Sequence, residues 1–318
     1  MAYLPSQIAK TLKAAILVTR PPHWTKNLSI FAALIFSGLL YDKFFFLRAF
    51  WAFWAFSLAA SATYIFNDIV DAPSDRLHPI KKGRPIAKGT LPVSIAIAET
   101  LFLAVIALLL SKALSDLLFV LILSYLLIQL AYSLILKNVP VLDILIIATG
   151  FVIRIYAGAF VIDAHLSVWF LLCVISVALF LASGKRRAEL GIVPGGETRK
   201  SLQKYPKDLL NSYVTMFGNA SWMSWALFTF FESPKVPLNL WLFLSEFSRT
   251  TTINKLLMIT IPVTIFGIMR YQALIFEGRS EAPEKLLLSD IPLVASVVIW
   301  TMMVIWILYG SLTFSFLR

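Results

Sequence analysis

The sequence predicts an all-α integral membrane protein, a bundle of about nine transmembrane helices forming one catalytic domain over residues 1–318. Two observations lead there. Hydrophobic residues make up 59% of the chain and charged residues 14%, with a mean hydropathy of +0.82, which leaves too little polar surface to coat a soluble globule of 318 residues. The apolar residues also fall into runs of about 20, the length a helix rising about 1.5 Å per residue needs to cross a hydrocarbon core about 30 Å thick.

In chain order the runs cover 22–41, 44–67, 91–111, 115–136, 141–162, 166–183, 209–231, 254–276 and 291–314. The first is strongly apolar only over 28–41, because "RPPHW" interrupts its start. Nine crossings put the termini on opposite sides, so the loops can be assigned to alternate faces. One face collects 20 of the 28 Lys and Arg: the N-terminal segment, the loops after the second, fourth and sixth runs, and the region after the eighth. The other face holds seven, and Arg154 lies inside the fifth run. The positive-inside rule then makes the N-terminus and the long basic loops cytoplasmic and the C-terminus external, in a plasma (inner) membrane. The net charge of +11 is accounted for by these loops and calls for no nucleic-acid partner. A single cysteine, Cys173, allows neither a disulfide framework nor a thiolate metal site. The N-terminus lacks the long apolar run and small-residue cleavage site of a removed signal peptide.

The chemistry gathers where the second run ends. "NDIVDAPSD", residues 67–75, places Asn67, Asp68, Asp71 and Asp75 three or four residues apart, so all four share one helix face. Carboxylates clustered in this way repel one another unless a cation sits among them. Mg²⁺ suits such a set, being a hard ion held by one or two carboxylates together with substrate phosphates and water. Pro73 disfavours helical geometry at Ala72, so the helix is expected to kink or end there, which makes Asp75 the least secure ligand. The plain alternative is a solvated helix end whose acids pair with Arg76 and Lys81.

A second constellation, "SGKRRAEL" at 183–190, closes the sixth run. Lys185 and Glu189 stand four apart, and Arg186 and Arg187 offer guanidinium groups that grip phosphate oxygens in pairs. "GETRKSLQKY" at 196–205 extends this basic, hydroxyl-rich character beyond what membrane anchoring requires. Asp143 and Arg154, 11 apart, share a face of the fifth run, where a structural ion pair and a substrate contact are equally open readings. Tyr132, Gln129 and Lys137 in the fourth run and Lys26 and Asn27 in "RPPHWTKN" are candidates for the rim of the same cavity. His23 reads as an interfacial residue rather than a base.

The "NDxxDxxxD" pattern at 67–75 followed by "RPIAKG" at 84–89 resembles the first aspartate-rich motif of the UbiA superfamily of membrane prenyltransferases. Within it, "RPPHWTKN", "GFVIRIYAGA" (150–159), "GKRRAEL", "TRKSLQKY" (198–205) and "APEKLLLSD" (282–290) look most like the decaprenyl-phosphate phosphoribosyltransferase branch, and the resemblance runs from about residue 18 past 290. It implies Mg²⁺ on Asn67, Asp68, Asp71 and Asp75, and two substrates: 5-phosphoribosyl 1-diphosphate and a polyprenyl (decaprenyl-type) phosphate lipid. Lys26, Arg84, Tyr132, Arg154, Lys185, Arg186, Arg187 and Glu189 are the candidate substrate-binding residues. Most of the superfamily is expected to carry a second aspartate-rich motif after the sixth helix. Here that loop offers cations and the single Glu189, which fits a site that must hold a separate phosphate. The attacking lipid phosphate is already anionic near neutral pH, so no general base is nominated.

Two rival readings stay open on the sequence. One is transfer of a prenyl group from its diphosphate to an aromatic or other small acceptor, which the missing second acidic motif disfavours. The other is a transporter for lipid phosphates or small anions, which would place ionisable residues near mid-bilayer rather than at one face. Small residues such as Gly150, Ala157, Gly158 and Ala159 suit helix contacts within one chain or between copies in a homo-oligomer.

Overall fold

The computed structural model describes residues 3–78, 81–192, 204–232, 251–277 and 289–315, and every regular element among them is helical. The chain opens with α1 (Tyr3–Val18), a 3₁₀ segment (Pro21–Ile30) and the short α2 (Phe31–Phe36). Then come α3 (Lys43–Leu77), α4 (Val93–Leu114), α5 (Asp116–Leu134), a 3₁₀ turn (Leu136–Asn138), α6 (Leu142–Val161) and α7 (Val168–Ile192). The last elements are α8 (Lys207–Phe231), a second long 3₁₀ segment (Thr251–Thr260), α9 (Ile261–Phe276) and α10 (Ile291–Ser315). The expected all-α membrane architecture is present.

Seven helices among the described residues are long and apolar enough to cross a membrane: Lys43–Leu77, Val93–Leu114, Asp116–Leu134, Leu142–Val161, Val168–Leu190, Lys255–Phe276 and Ile291–Gly310. They match seven of the nine expected runs. The other two take different forms. The run at 22–41 does not make one long α-helix. Pro21 and Pro22 open it as a 3₁₀ segment, and α2 stops after six residues, just before Gly38 turns the chain at φ +75°. The run at 209–231 is helical as α8, but Asn211, Ser212, Asn219, Ser221 and Ser224 lower its apolar content.

The chain divides into two compact units, Met1–Ala32 with Lys43–Ile146 and Ile153–Ala164, and Ala33–Asp42 with Ile147–Val152 and His165–Arg318. In the first, α3 is the central element. Ala49, Ala52, Ala55, Ala59, Ala60 and Ala62 are buried along it, and such small side chains let α4, α5 and the first 3₁₀ segment approach its backbone. Beneath its acidic end lies an apolar cluster of Ala14 and Val18 from α1, Ile65 and Ala72 from α3, Ile86 and Leu91 from the following loop, and Ala96 from α4. Arg48 donates from Nε to the Val161 carbonyl at 2.6 Å and from Nη2 to the Leu114 carbonyl at 2.8 Å, satisfying the carbonyl ends of α6 and α4 with a cation.

The second unit packs α7 against α8, α8 against α9, and α9 against α10, around Phe180, Val214, Tyr271, Leu274, Ile275 and Leu293. Asp290 caps α10: Oδ1 accepts the Leu293 N–H at 3.0 Å, and Arg270 of α9 grips both carboxylate oxygens at 3.0 and 2.7 Å. Cys173 is buried and unbonded to another cysteine. Large exposed apolar side chains, such as Leu101, Phe102, Val105 and Leu109 on α4, form the face a lipid phase would cover.

In the first unit, Gly158 of α6 meets the chain at Ile30 so closely that a Cβ there would overlap the Ile30 carbonyl and lie 3.2 Å from its Cα. Backbone cannot swing aside as a flexible side chain can. Gly158→Ala is therefore expected to destabilise the protein by about 1–3 kcal/mol, the usual cost of overpacking, read as a lowered midpoint of thermal unfolding in detergent.

Candidate functional site

The acidic motif occupies the last turns of α3, and the helix continues through Pro73 to Leu77 rather than ending there. Of the two outcomes expected at Pro73, a kink or an end, the end is thereby excluded. Proline removes the bond its N–H would make to the Ile69 carbonyl and its ring crowds that carbonyl, so something else must hold the last turn. Arg84 does so, donating from Nη1 to Asp68 Oδ1 at 3.0 Å and to Asp75 Oδ2 at 2.7 Å, across the proline. Ser74 Oγ also bonds the Asp71 carbonyl at 2.9 Å. Asp75, expected to be the least secure metal ligand, is buried and tied to the same cation as Asp68.

Arg84 is placed by the turn that follows it. The Pro85 carbonyl accepts from the N–H of Thr90 at 3.0 Å, the N–H of Leu91 at 3.2 Å and the Thr90 hydroxyl at 3.1 Å. Gly89 closes the turn at φ +80°, a conformation that favours glycine. Buried Ile86 and Leu91 pin the loop to the apolar cluster under α3.

Two more cations complete the cluster. Arg20 pairs with Asp68 Oδ1 and lies over the Tyr64 ring with its guanidinium carbon 5.4 Å from the centroid. Its backbone is left-handed (φ 55°, ψ 60°), one residue before Pro21, a conformation costing about 1–2 kcal/mol for a residue with a Cβ. Lys137, in the 3₁₀ turn after α5, pairs with Asp71 Oδ1, while Asn67 Nδ2 donates to Asp71 Oδ2 at 2.9 Å. The site thus sets Arg20, Arg84 and Lys137 against three aspartates. The Asp68 and Asp75 side chains are only 2% and 6% exposed, and a buried carboxylate without its cation is strongly destabilising.

The donors are of the right kind for Mg²⁺, since Asn67 and the aspartates offer hard oxygens on one helix face. They are not gathered as a ready-made metal cage. Among the described residues no three His, Cys, Asp or Glu stand close enough to hold an ion, because the carboxylates are turned towards basic side chains.

The other expected site residues fall into separate groups. Arg154 is buried, donating from Nε to Asn27 Oδ1 at 2.7 Å and from Nη2 to the Tyr125 hydroxyl at 3.2 Å, with its guanidinium carbon 5.0 and 5.2 Å from the ring centroids of Phe56 and Tyr125. Asn27 in turn donates to Ser57 Oγ at 2.9 Å, so Arg154 and Asn27 clamp α6, the first 3₁₀ segment, α5 and α3 together. Asp143 and Tyr132 are buried, and Lys26 is half-buried on the 3₁₀ segment. In the second unit, Arg186 is fully buried and pairs with Glu189, one turn later on α7. Arg187 donates from Nε to Asn211 Oδ1 at 2.6 Å and lies 5.6 Å over the Phe276 ring. Lys185 is half-buried on the same turn. "GETRKSLQKY" up to residue 203 and "APEKLLLSD" up to residue 288 lie outside the described residues.

Arg20 was not among the site residues expected from sequence. Only its place immediately before Pro21 and Pro22 sets it apart from the other N-terminal cations, and nothing in local spacing connects it to Asp68, 48 residues away.

Comparison with known proteins gives this cluster a context. Residues 28–184 match the UbiA prenyltransferase family. The chain is 36% identical over 281 residues to a decaprenyl-phosphate phosphoribosyltransferase of Mycolicibacterium smegmatis, covering 86% of each chain. The chain belongs to the UbiA family. A protein of the same name from Corynebacterium glutamicum is 34% identical over 297 residues, 91% of this chain and 85% of that one. Among solved structures, a UbiA homolog from Archaeoglobus fulgidus bound to DMAPP and Mg²⁺ superposes with a TM-score of 0.66 at 15% identity, over 92% of this chain and 97% of that chain. Likeness at that identity speaks for the fold. As a UbiA member the chain is a multi-pass membrane protein and a transferase.

The ion network makes a stability prediction. Arg84→Met and Asp75→Asn should each destabilise the protein, and the two together should cost less than their sum by about 1–3 kcal/mol, measured as a double-mutant cycle of unfolding in detergent.

Proposed function

We propose that this UbiA enzyme transfers the 5-phosphoribosyl group of 5-phosphoribosyl 1-diphosphate to a polyprenyl phosphate of the decaprenyl type, releasing pyrophosphate. The observation that carries this reading is the balanced cluster of Asp68, Asp71 and Asp75 with Arg20, Arg84 and Lys137, in a chain whose relatives carry the phosphoribosyltransferase name. A metal–diphosphate carries both signs of charge. Such a cluster can meet both, its carboxylates turning to the metal and its cations to phosphate oxygens.

In this reading Asn67, Asp68, Asp71 and Asp75 are the residues that would hold Mg²⁺. Bound there, Mg²⁺ would neutralise charge developing on the diphosphate leaving group. Arg20, Arg84 and Lys137 bind and orient the same diphosphate, with Lys26 as a further candidate. A non-bridging oxygen of the lipid phosphate attacks ribose C1 from the face opposite the diphosphate. The C1–O bond to the diphosphate breaks, its electron pair leaves with pyrophosphate, and C1 is inverted through an oxocarbenium-like transition state. No proton need be removed from the attacking oxygen. Lys185, Arg186 and Arg187 of the second unit are assigned to phosphate binding, with Glu189 orienting Arg186. Tyr132 and Arg154 remain further candidates for substrate contact, and Arg154 also ties α6 to Asn27 and Tyr125. The whole chain, residues 1–318, acts as one catalytic domain with its basic loops and chemistry at the cytoplasmic face and its C-terminus outside, a topology that the charge asymmetry of the loops supports. The apolar flanks of the helices keep the isoprenoid tail in the lipid phase.

The test is pyrophosphate release by purified protein in detergent, with Mg²⁺, 5-phosphoribosyl 1-diphosphate and a polyprenyl phosphate. Release should require the lipid, and an Asp68→Asn, Asp71→Asn double variant should lose about 100-fold or more of the rate. Turnover only with a prenyl diphosphate and an aromatic acceptor would instead assign the chain to prenyl transfer.

A further inference from the structure

We propose that Lys137 is an internal substitute for the metal at Asp71: a tethered cation that holds this carboxylate while the metal is absent, yields it when the metal arrives, and then binds the anion that accompanies the metal. The inference rests on the reading of Asp68 and Asp71 as metal ligands and adds to it an exchange at one named carboxylate.

The three aspartates are not held alike. Asp68 and Asp75 are bridged by one Arg84 nitrogen and are nearly inaccessible, at 2% and 6% side-chain exposure. A guanidinium is a rigid planar fork, and this one also spans the proline in α3, so releasing it would loosen the helix end. Asp71 is 17% exposed, the most open of the three, and its paired cation is an ammonium. Lysine is a compact point charge on a flexible four-carbon stem, the easier cation to move aside. Asn67 holds Asp71 Oδ2 independently, so the carboxylate keeps its orientation when the ammonium leaves Oδ1.

Electrostatics supplies the direction of the effect. An ammonium and a divalent ion on one carboxylate repel each other, so Lys137 and the metal compete for Asp71. Once displaced, the same ammonium stands beside the metal with three N–H donors, suited to a diphosphate oxygen. A single residue therefore weakens metal binding in the absence of the anion and strengthens anion binding in the presence of the metal. A merely structural lysine would move both affinities in the same direction or neither.

The experiment titrates Mn²⁺, as a spectroscopic stand-in for Mg²⁺, into the full chain in detergent, reading bound ion by electron paramagnetic resonance and then adding inorganic pyrophosphate. Lys137→Gln should bind Mn²⁺ about tenfold more tightly and, with Mn²⁺ present, pyrophosphate about tenfold more weakly, a shift of the size expected from adding or removing one nearby charge. Lys137→Arg, whose guanidinium grips Asp71 more firmly, should bind Mn²⁺ more weakly than the wild type, which keeps the inference testable should the Gln variant fail to fold. Unchanged Mn²⁺ affinity in these variants, or metal and pyrophosphate affinities falling together in Lys137→Gln, would overturn the exchange while leaving the metal site intact. If Mn²⁺ binding by the wild type is no greater than that of the Asp68→Asn, Asp71→Asn variant, the metal reading fails and the exchange with it.

Discussion

Charge compensation at the end of α3 is the constraint on which the rest of the first unit depends. Three carboxylates within eight residues of one helix, two of them almost inaccessible to solvent, cannot persist without cations, because an unpaired buried charge costs several kcal/mol. The cations come from three places in the chain: Arg20 before the first 3₁₀ segment, Arg84 in the loop after α3, and Lys137 after α5. Each is delivered by a local device. Arg20 is set by a left-handed residue ahead of two prolines, Arg84 by a turn gathered on the Pro85 carbonyl, and Lys137 by a short 3₁₀ turn. The apolar packing from Ala14 to Ala96 joins α1, the end of α3 and the loop that carries Arg84.

The same network explains why a proline is tolerated inside a long helix. Pro73 removes one rung of the α3 ladder, and Arg84 rejoins the two sides through Asp68 and Asp75. In the proposed reaction structure and function are thereby coupled, since the residue that supports the helix is also assigned to bind the diphosphate. Such coupling makes a division of labour among the aspartates physically reasonable. Asp68 and Asp75 are the anchored pair, and Asp71 is the accessible one.

The second unit follows a different charge logic. The end of α7 carries Lys185, Arg186 and Arg187 with the single carboxylate of Glu189, so cations are in excess there, whereas the end of α3 is balanced. Arg186 and Arg187 are held by Glu189, Asn211 and the Phe276 ring, which presents guanidinium groups in fixed orientations rather than on free stems. In the proposed reaction, a diphosphate and a separate monophosphate would make use of both kinds of site.

Membership of an all-helical membrane class was legible in the sequence, because hydropathy is a sum over neighbours and needs no tertiary knowledge. Seven of the long apolar runs appear as helices of spanning length. The three-four spacing of Asn67, Asp68, Asp71 and Asp75 likewise puts them on one face through helical periodicity alone. Long-range partners decided what local rules left open: Pro73 signalled a kink or an end of α3, and the helix continues to Leu77 with Arg84 bridging Asp68 and Asp75 across the proline, while Asp143 and Arg154 are both buried on α6 and Arg154 engages Asn27 and Tyr125. The 22–41 run shows the opposite limit, since its apolar content said nothing of the turn at Gly38. The sequence by itself determined which residues carry charge and which helix bears the aspartates. Only the tertiary structure decided which cation meets which carboxylate, because Arg20 and Lys137 lie 48 and 66 residues from their partners, and no periodicity along the chain encodes a pairing made by folding alone.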